Sequence, residues 1–185
     1  TPYWSNKGYS MNEMVPAWVD GKLQPVEKIE AHKRALKHKA ISVFIISDTE
    51  TLIQRRALKK YHSPGLWANA CCTHPHWNEA SLKCAHRRIN EELGIKIVRD
   101  LVYRDQVEYR ADVGNGLTEH ELVDIFVLRV EKKEHLETDL NTDEVMEIRW
   151  IQLEKLFDEI RRTPNKFTPW LRIYLDKHHN QILSV

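Results

Sequence analysis

The segment 79–93 constrains the conformation of this chain more than any other stretch. Its apolar residues recur at the three- and four-residue spacing that places side chains on one face of an α-helix. They are Leu82, Ala85, Ile89 and Leu93. Gly94 follows directly, and many helices end at a glycine. The sequence therefore predicts an amphipathic helix over this segment, with one face against a core.

Segments typical of strands and short helices surround this helix. In chain order we predict a hairpin at 17–25, a short polar helix or turn at 27–36, strands at 40–46 and 51–55, an extended segment at 66–72, long strands at 97–109 and 119–130, a strand at 146–151, and helices at 153–162 and 169–178. After Leu122 the second long strand has apolar residues at both odd and even positions, as in strands covered on two faces. The predicted fold class is α/β (α+β), a mixed β-sheet covered by helices.

The length and apolar content fit a single domain. The chain has 185 residues, 42% of them hydrophobic, which is enough for a full core. We expect this domain to span 15–185. Residues 1–14 are expected to be a separate N-terminal segment, and its first ten residues, which precede Met11 and Met14, are expected to derive in part from an expression vector.

Charge and cysteine content narrow the classes of partner. The 28 basic and 27 acidic residues form no long run of one sign, which argues against a nucleic-acid or membrane-surface partner. No apolar run approaches the roughly 20 residues that cross a bilayer. An odd number of cysteines, two of them adjacent, favours free thiols in a reducing compartment. We expect a soluble, cytoplasmic protein in which a few placed residues bind any anionic ligand.

The segment 73–95 resembles the Nudix box, whose pattern is G-x5-E-x7-R-E-U-x-E-E-x-G-U, with U an aliphatic residue. Seven positions match: Glu79, Arg87, Ile89, Glu91, Glu92, Gly94 and Ile95. Two positions differ, because Thr73 replaces the first Gly and Arg88 replaces the first Glu of R-E-U-x-E-E. The resemblance implies a Nudix-like fold.

The substitution at Arg88 bears on the chemistry. In Nudix hydrolases the box carboxylates hold the divalent ions that activate water against a diphosphate. A guanidinium at this position removes one metal ligand and adds a group that binds phosphate. Arg88 and Glu92 lie one helical turn apart and can meet the same ligand, or they can form a salt bridge on a solvated face. Hydrolysis is therefore the less favoured activity.

Further blocks of sequence before and after the box carry a second resemblance. They include 67–75 (WANACCTHP), 118–122 (TEHEL), 167–170 (FTPW), 38–44 (HKAISVF), 55–58 (RRAL) and 141–146 (NTDEVM). In this order they resemble the type I isopentenyl-diphosphate delta-isomerases over about 19–170. That family interconverts isopentenyl diphosphate and dimethylallyl diphosphate in isoprenoid biosynthesis.

The family's reaction moves a double bond through a carbocation-like state. Such chemistry needs an acid and a base on opposite faces, an electron-rich wall and exclusion of water. The resemblance implies that Cys72 and Glu121 are the catalytic pair, in either direction of proton transfer. It further implies that Tyr109 relays or orients the proton of Glu121 and that Trp170 is the aromatic wall.

Two metal sites are implied as well. Glu119 and Glu121 are two residues apart in a strand, so both carboxylates lie on one face, where a cation is their natural partner. The resemblance implies a site for Mn²⁺ or Zn²⁺ made of His32, His38, His74, Glu119 and Glu121. It also implies that Glu92 and the main-chain carbonyl of Cys72 hold Mg²⁺. The other histidines, His62 among them, are expected to be surface or hydrogen-bonded residues.

The substrate implied is a small-molecule diphosphate. Its charged end would be bound by Lys28, Arg56, Lys60 and Arg88, and Trp67 is expected to line the pocket. Cys71 and Cys84 are expected to pack in the core. The sequence leaves open whether the chain is a monomer or a homodimer. Two other functions remain: a Nudix diphosphohydrolase, and a metal-binding scaffold without catalytic activity.

Overall fold

The structure, a computed structural model, describes residues 13–96 and 101–184. Its strands are β1 (Met14–Val19), β2 (Lys22–Glu27), β3 (Lys37–Ser47), β4 (Glu50–Arg56), β5 (Trp67–Asn69), β6 (Cys71–Thr73), β7 (Leu101–Gly114), β8 (Leu117–Arg129) and β9 (Val145–Gln152). Its α-helices are α1 (Lys28–Lys33), α2 (Ser81–Leu93), α3 (Leu153–Arg162), α4 (Pro169–Lys177) and α5 (His179–Leu183). Within these residues no helix has the length and apolar character that crossing a membrane requires.

Strand β3 is the centre of one mixed sheet. Along one edge it pairs with β8 in parallel, from Lys37 opposite His120 to Ile46 opposite Arg129. Its other edge pairs antiparallel with β1, β6 and β4 in turn. Strand β7 extends the sheet beyond β8, and β4 also pairs with β5 and β9. This register places His38 opposite Glu121 and Ser42 opposite Cys72, so β3 lies between the two candidate catalytic residues.

Each face of the sheet has its own core. On one face, Val123 and Ile125 of β8 pack with residues from α3, α4 and α5, including Leu156, Leu171 and Ile182. On the other face, Phe126 and Leu128 pack with α2. The predicted fold class, with a sheet covered by helices and a two-sided strand after Leu122, is confirmed.

The helix α2 ends as the sequence predicts. Gly94 adopts a left-handed conformation with φ of 68°, and its N–H donates to the carbonyl of Asn90. A Cβ at this position would lie 2.6 Å from the backbone of Asp139, so glycine is required. The N–H of Asn141 donates to the carbonyl of Glu92, which holds the following loop across the end of the helix.

Three details differ from the sequence predictions. Leu82, which was predicted on the buried face of the helix, is 45% exposed, and Cys84 lies on that face instead. The extended segment 66–72 is divided into β5 and β6 at Ala70. The helix α5 was not predicted, and positions 97–100 of the predicted long strand lie outside the described residues. So do positions 1–12 of the N-terminal segment.

Candidate active site

Two histidines present metal-binding nitrogens to the interior of the site. Nδ1 of His32 lies 2.7 Å from the carbonyl of Lys28, and Nδ1 of His38 lies 2.7 Å from the carbonyl of Leu36. A carbonyl only accepts, so each Nδ1 carries a proton, and in the neutral ring Nε2 then carries a lone pair. Both side chains are fully buried. The backbone therefore fixes the tautomer that a metal ligand requires.

The predicted metal ligands lie together around these lone pairs. Nε2 of His38 is 3.2 Å from Nε2 of His74 and 3.6 Å from Oε1 of Glu121, and Nε2 of His74 is 3.0 Å from the same oxygen. Nε2 of His32 lies 3.9 Å from Oε1 of Glu119 and has no hydrogen-bond partner. Buried lone pairs and carboxylates that face one another repel unless a cation lies between them. The donor set thus fits a divalent ion.

Both carboxylates of this group are charged. Burial disfavours the ionised form, but interactions with His32 and His62 hold the pKa of Glu119 well below its ordinary value. Burial and the charge of Glu119 raise the pKa of Glu121, whereas His74 and His38 lower it, and the net shift is downward. The site thus holds two negative charges that are only 4% and 5% exposed.

His62 also belongs to this group, which the sequence does not indicate. It is 2% exposed, and its Nε2 lies 2.9 Å from Oε1 of Glu119. His62 is thus hydrogen-bonded, one of the two outcomes expected for it, and its partner is a candidate metal ligand. No spacing pattern relates these two residues in the sequence, because the contact joins a loop to a strand more than fifty residues away.

Tyr109 contacts a different carboxylate from the one predicted. Its hydroxyl donates to Oε2 of Glu119 at 2.5 Å, although Tyr109 stands directly opposite Glu121 in the pairing of β7 with β8. A tyrosine side chain is long enough to reach the diagonal neighbour across a strand pair. Tyr109 therefore orients Glu119.

The Cys72 thiol lies in a chain of hydrogen bonds. Its Sγ donates to Oδ1 of Asn69 at 2.8 Å and lies 3.2 Å from the hydroxyl of Ser42. That hydroxyl is in turn 2.9 Å from the hydroxyl of Tyr174. Burial raises the pKa of Cys72, so the group is a neutral thiol with a fixed orientation. Sequence patterns do not predict the contacts made by Ser42 and Tyr174.

Cys71 faces the opposite side of the sheet, as predicted for its neighbour in an extended segment. It is buried in the second core, and its Sγ donates to Oε2 of Glu92 at 3.0 Å. Glu92 also lies 3.4 Å from Nη2 of Arg88 and 3.4 Å from Nε2 of Gln54. Glu92, the predicted magnesium ligand, thus contacts Arg88.

A group of cations borders the mouth of the site. The predicted residues Lys28, Arg56, Lys60 and Arg88 are all present there. Glu144 forms ion pairs with Lys60 and with Arg88, the latter at 3.6 Å. Burial and the ammonium of Lys60 lower the pKa of Lys28, which reflects the crowding of positive charge. Nε of Arg56 and Nε of Arg88 are buried without a partner, as expected of donors that await an anion.

The two candidate pocket tryptophans have different positions. Trp170 is 2% exposed and borders the site, with its ring 5.1 Å from Cζ of Arg56. Trp67 was predicted to line the pocket, but it is not among the lining residues. Its ring packs against Arg149, 4.8 Å from Cζ. Its carbonyl accepts from the N–H of Thr168, which fixes the start of α4 and hence Trp170.

These groups surround one cavity of about 160 Å³, lined by Cys72, His74, Glu119, Glu121, Trp170 and the cations. Cavities of roughly this volume admit a molecule the size of benzene. The lining combines carboxylates and imidazoles with these cations. The cavity can therefore hold a short carbon chain with an anionic head.

Comparison with known proteins agrees with this geometry. Residues 36–171 match the NUDIX domain family. The fold is similar to a MutT NUDIX hydrolase from Burkholderia pseudomallei (TM-score 0.58, 23% identity, 77% of this chain and 98% of that chain). It is also similar to DR0079 from Deinococcus radiodurans (TM-score 0.62, 15% identity, 81% and 90%). Fold and site together define a Nudix-domain protein.

Closer relatives identify the family. Proteins named isopentenyl-diphosphate delta-isomerase are 55% identical in Dinoroseobacter shibae, over 94% of this chain and 97% of the relative, and 60% identical in Jannaschia sp., over 92% and 95%. A relative with the same name in Cereibacter sphaeroides is 59% identical over 94% and 97%. The chain belongs to the isopentenyl-diphosphate delta-isomerase family.

Proposed function

We propose that the protein interconverts isopentenyl diphosphate and dimethylallyl diphosphate, with Cys72 and Glu121 as the catalytic pair. The observation that carries this proposal is their common cavity. Cys72 and His74 are two residues apart, and both side chains border this cavity. Nε2 of His74 lies 3.0 Å from Oε1 of Glu121, and the imidazole borders the same cavity as the thiol and the carboxylate.

The protonation states of this pair suit the reaction. One proton is added to the terminal carbon of the alkene, and a tertiary cation forms. Another proton then leaves the carbon that lies between the cationic carbon and the carbon bearing the diphosphate oxygen. This needs one protonated and one unprotonated group, and burial keeps Cys72 neutral while the histidines keep Glu121 ionised. The pair holds one proton before and after turnover, so it can work in both directions.

A divalent ion is part of the proposal. When bound by His32, His38, His74, Glu119 and Glu121, it supplies the positive charge that sets the acidity of Glu121. Imidazole and carboxylate ligands suit Mn²⁺ or Zn²⁺. The backbone contacts of His32 and His38 orient their nitrogens for this role.

The cations at the mouth would bind the diphosphate. The unpartnered Nε atoms of Arg56 and Arg88 support this assignment, together with the positive charge of Lys28 and Lys60. The proposal includes Mg²⁺ held by Glu92 and the carbonyl of Cys72. Glu92 would then exchange its contact with Arg88 for the ion.

Trp170 would stabilise the cationic state through its indole face. A cation over such a face gains about 2 kcal/mol when it is desolvated, roughly 30-fold in rate if the gain arises only in the transition state. The ring already lies near one cation, since Arg56 is 5.1 Å from it.

The proposed enzyme acts on a small molecule in the cytoplasm, in agreement with three free cysteines. Whether it is a monomer or a homodimer is to be measured by sedimentation.

Incubation with isopentenyl diphosphate and Mg²⁺ in heavy water tests the activity. We expect dimethylallyl diphosphate that contains deuterium, because the added proton comes from groups that exchange with solvent. Release of phosphate from a nucleoside diphosphate derivative, without any allylic product, would instead identify a hydrolase. The absence of both activities would support a silent scaffold.

A further inference from the structure

His62 connects three parts of the site through three different groups of atoms. Its Nε2 lies 2.9 Å from Oε1 of Glu119 at the metal end. Its carbonyl accepts from Nη2 of Arg56 at 3.1 Å at the diphosphate end. Its ring meets Trp170 edge to face, with centroids 5.6 Å apart.

The nitrogen atoms of His62 differ from those of the neighbouring histidines. In His32 the carbonyl of Lys28 fixes the proton on Nδ1 and leaves Nε2 free for a metal. Nδ1 of His62 instead lies 3.3 Å from the hydroxyl of Ser63, which can donate to it. With Nδ1 as an acceptor, Nε2 carries the proton and faces a carboxylate that only accepts.

Glu119 is consequently held at both oxygens. The hydroxyl of Tyr109 donates to Oε2, and Nε2 of His62 meets Oε1. A carboxylate oxygen has a second lone pair, so each oxygen can still face a cation. Groups that orient a metal ligand in this way typically change metal affinity by 10- to 100-fold when they are removed.

The grouping of donor atoms separates His62 from the other histidines. The donor atoms of His32, His38, His74 and Glu121 lie within 4.8 Å of one another, whereas His62 shares such a group with His32 and Glu119. His62 thus lies beside Glu119 and His32, outside the group that His38, His74 and Glu121 share.

We propose that His62 is a positioning residue whose side chain holds Glu119 in place for a divalent ion. This inference rests on the metal site of the proposed function. It goes beyond that function because it assigns the orientation of one ligand to a histidine outside the predicted set.

Binding of Mn²⁺ to the metal-free protein tests the assignment, measured by the electron paramagnetic resonance signal of free Mn²⁺. We expect His62→Ala to weaken binding by 10- to 100-fold and His62→Gln to stay within about 3-fold of the parent, since the amide of Gln can donate to Glu119. His120→Ala and His120→Gln are matched controls, because His120 contacts Glu108 on the solvated side of β8. Both controls should bind as the parent does.

Kinetics at saturating metal give a second measurement. We expect kcat to fall in His62→Ala, whereas KM should change less than about 3-fold, because the contact with Arg56 uses the main-chain carbonyl that every variant keeps. Circular dichroism of the metal-free variants establishes that they are folded. If His62→Ala does not fold, His62→Phe replaces it, because Phe keeps a ring against Trp170 but cannot donate to Glu119. A 10- to 100-fold loss of Mn²⁺ affinity then supports the proposal, and parent-like affinity overturns it.

Two outcomes would overturn the proposal. One is parent-like Mn²⁺ affinity in His62→Ala. The other is an equal loss in both variants with a changed visible spectrum of bound Co²⁺, which would make His62 a ligand. Failure of the proposed function would differ from failure of the His62 proposal, because the parent protein would then bind Mn²⁺ but produce no allylic diphosphate.

Discussion

The hydroxyl of Tyr109 donates a 2.5 Å hydrogen bond to Glu119, and Glu121 instead contacts His38 and His74. The two carboxylates leave the same face of β8 but have different partners. Glu119 is held by the hydroxyl of Tyr109 and by His62, whereas Glu121 lies beside His38 and His74. Both carboxylates border the cavity with Cys72. This division suits a structural role for Glu119 and a role in proton transfer for Glu121.

Replacement of Tyr109 by Phe removes one of the contacts that orient Glu119. We expect metal affinity to fall by roughly 10-fold, because an outer contact of a ligand is lost, and kcat to fall with it at limiting metal. Titration of the metal-free variant with Mn²⁺ measures the effect. Unchanged affinity with a large loss of kcat would mean that Tyr109 acts on Glu121 or on the substrate.

Replacement of either member of the catalytic pair should nearly abolish turnover. We expect Cys72→Ala and Glu121→Gln each to lower kcat by about 100- to 10,000-fold while the far-ultraviolet circular dichroism stays unchanged. Cys84→Ala is the matched control, since Cys84 is a buried thiol of α2 that does not border the cavity. Retention of most of the activity in either site variant would contradict the proposed mechanism.

The hydroxyl groups of Ser42 and Tyr174 form a coupled pair beside the thiol. Ser42→Ala leaves the buried hydroxyl of Tyr174 without this partner, which should cost about 1 to 3 kcal/mol of unfolding free energy. The double variant Ser42→Ala/Tyr174→Phe removes both groups, so we expect it to be less destabilised than the sum of the single variants. Urea denaturation of the four proteins measures this coupling.

Catalysis supplies the second measurement on the same variants. Ser42 also contacts Sγ of Cys72 at 3.2 Å, so Ser42→Ala should lower kcat with little change in KM. Additive destabilisation and an unchanged kcat would together show that the two hydroxyl groups act independently of each other and of the thiol.

The ion pair of Glu79 and Arg87 predicts a pH dependence of stability. Two hydrogen bonds from Arg87, at 2.7 and 2.8 Å, lower the pKa of Glu79 from 4.5 to about 2. A carboxyl with a lower pKa in the folded state stabilises the protein above its unfolded pKa, and this stabilisation is lost as pH falls towards 2. Because solvent screens this partly exposed ion pair, we expect a contribution of only about 1 kcal/mol at neutral pH.

Urea denaturation between pH 3 and pH 7 checks this expectation. Glu79→Gln should lose stability at neutral pH and should show a weaker decline below pH 5 than the parent. Glu91→Gln is a suitable control, because Glu91 is an exposed residue of α2 that also pairs with Arg87. An identical decline in the parent and in Glu79→Gln would contradict the prediction.

Much of the local structure follows from the sequence because it depends on neighbouring residues. The spacing of Ile89 and Leu93 with Gly94 fixes α2 and its end, and this helix carries Arg88 and Glu92. Alternation along a strand separates Cys71 from Cys72 and puts Glu119 and Glu121 on one face. Matching of sequence blocks then indicates which of these side chains belong to a site.

The partners of those side chains were decided by the tertiary structure. Nothing in the sequence relates Ser42 to Tyr174, or His62 to Glu119, because these contacts depend on the register of β3 with β6 and β8 and on the packing of α4 and the loop after β4. The same register lets Tyr109 reach Glu119 and leaves Trp67 outside the cavity. Periodicity along a chain reports which face a residue occupies, whereas the distance between two faces is set only when the strands and helices pack.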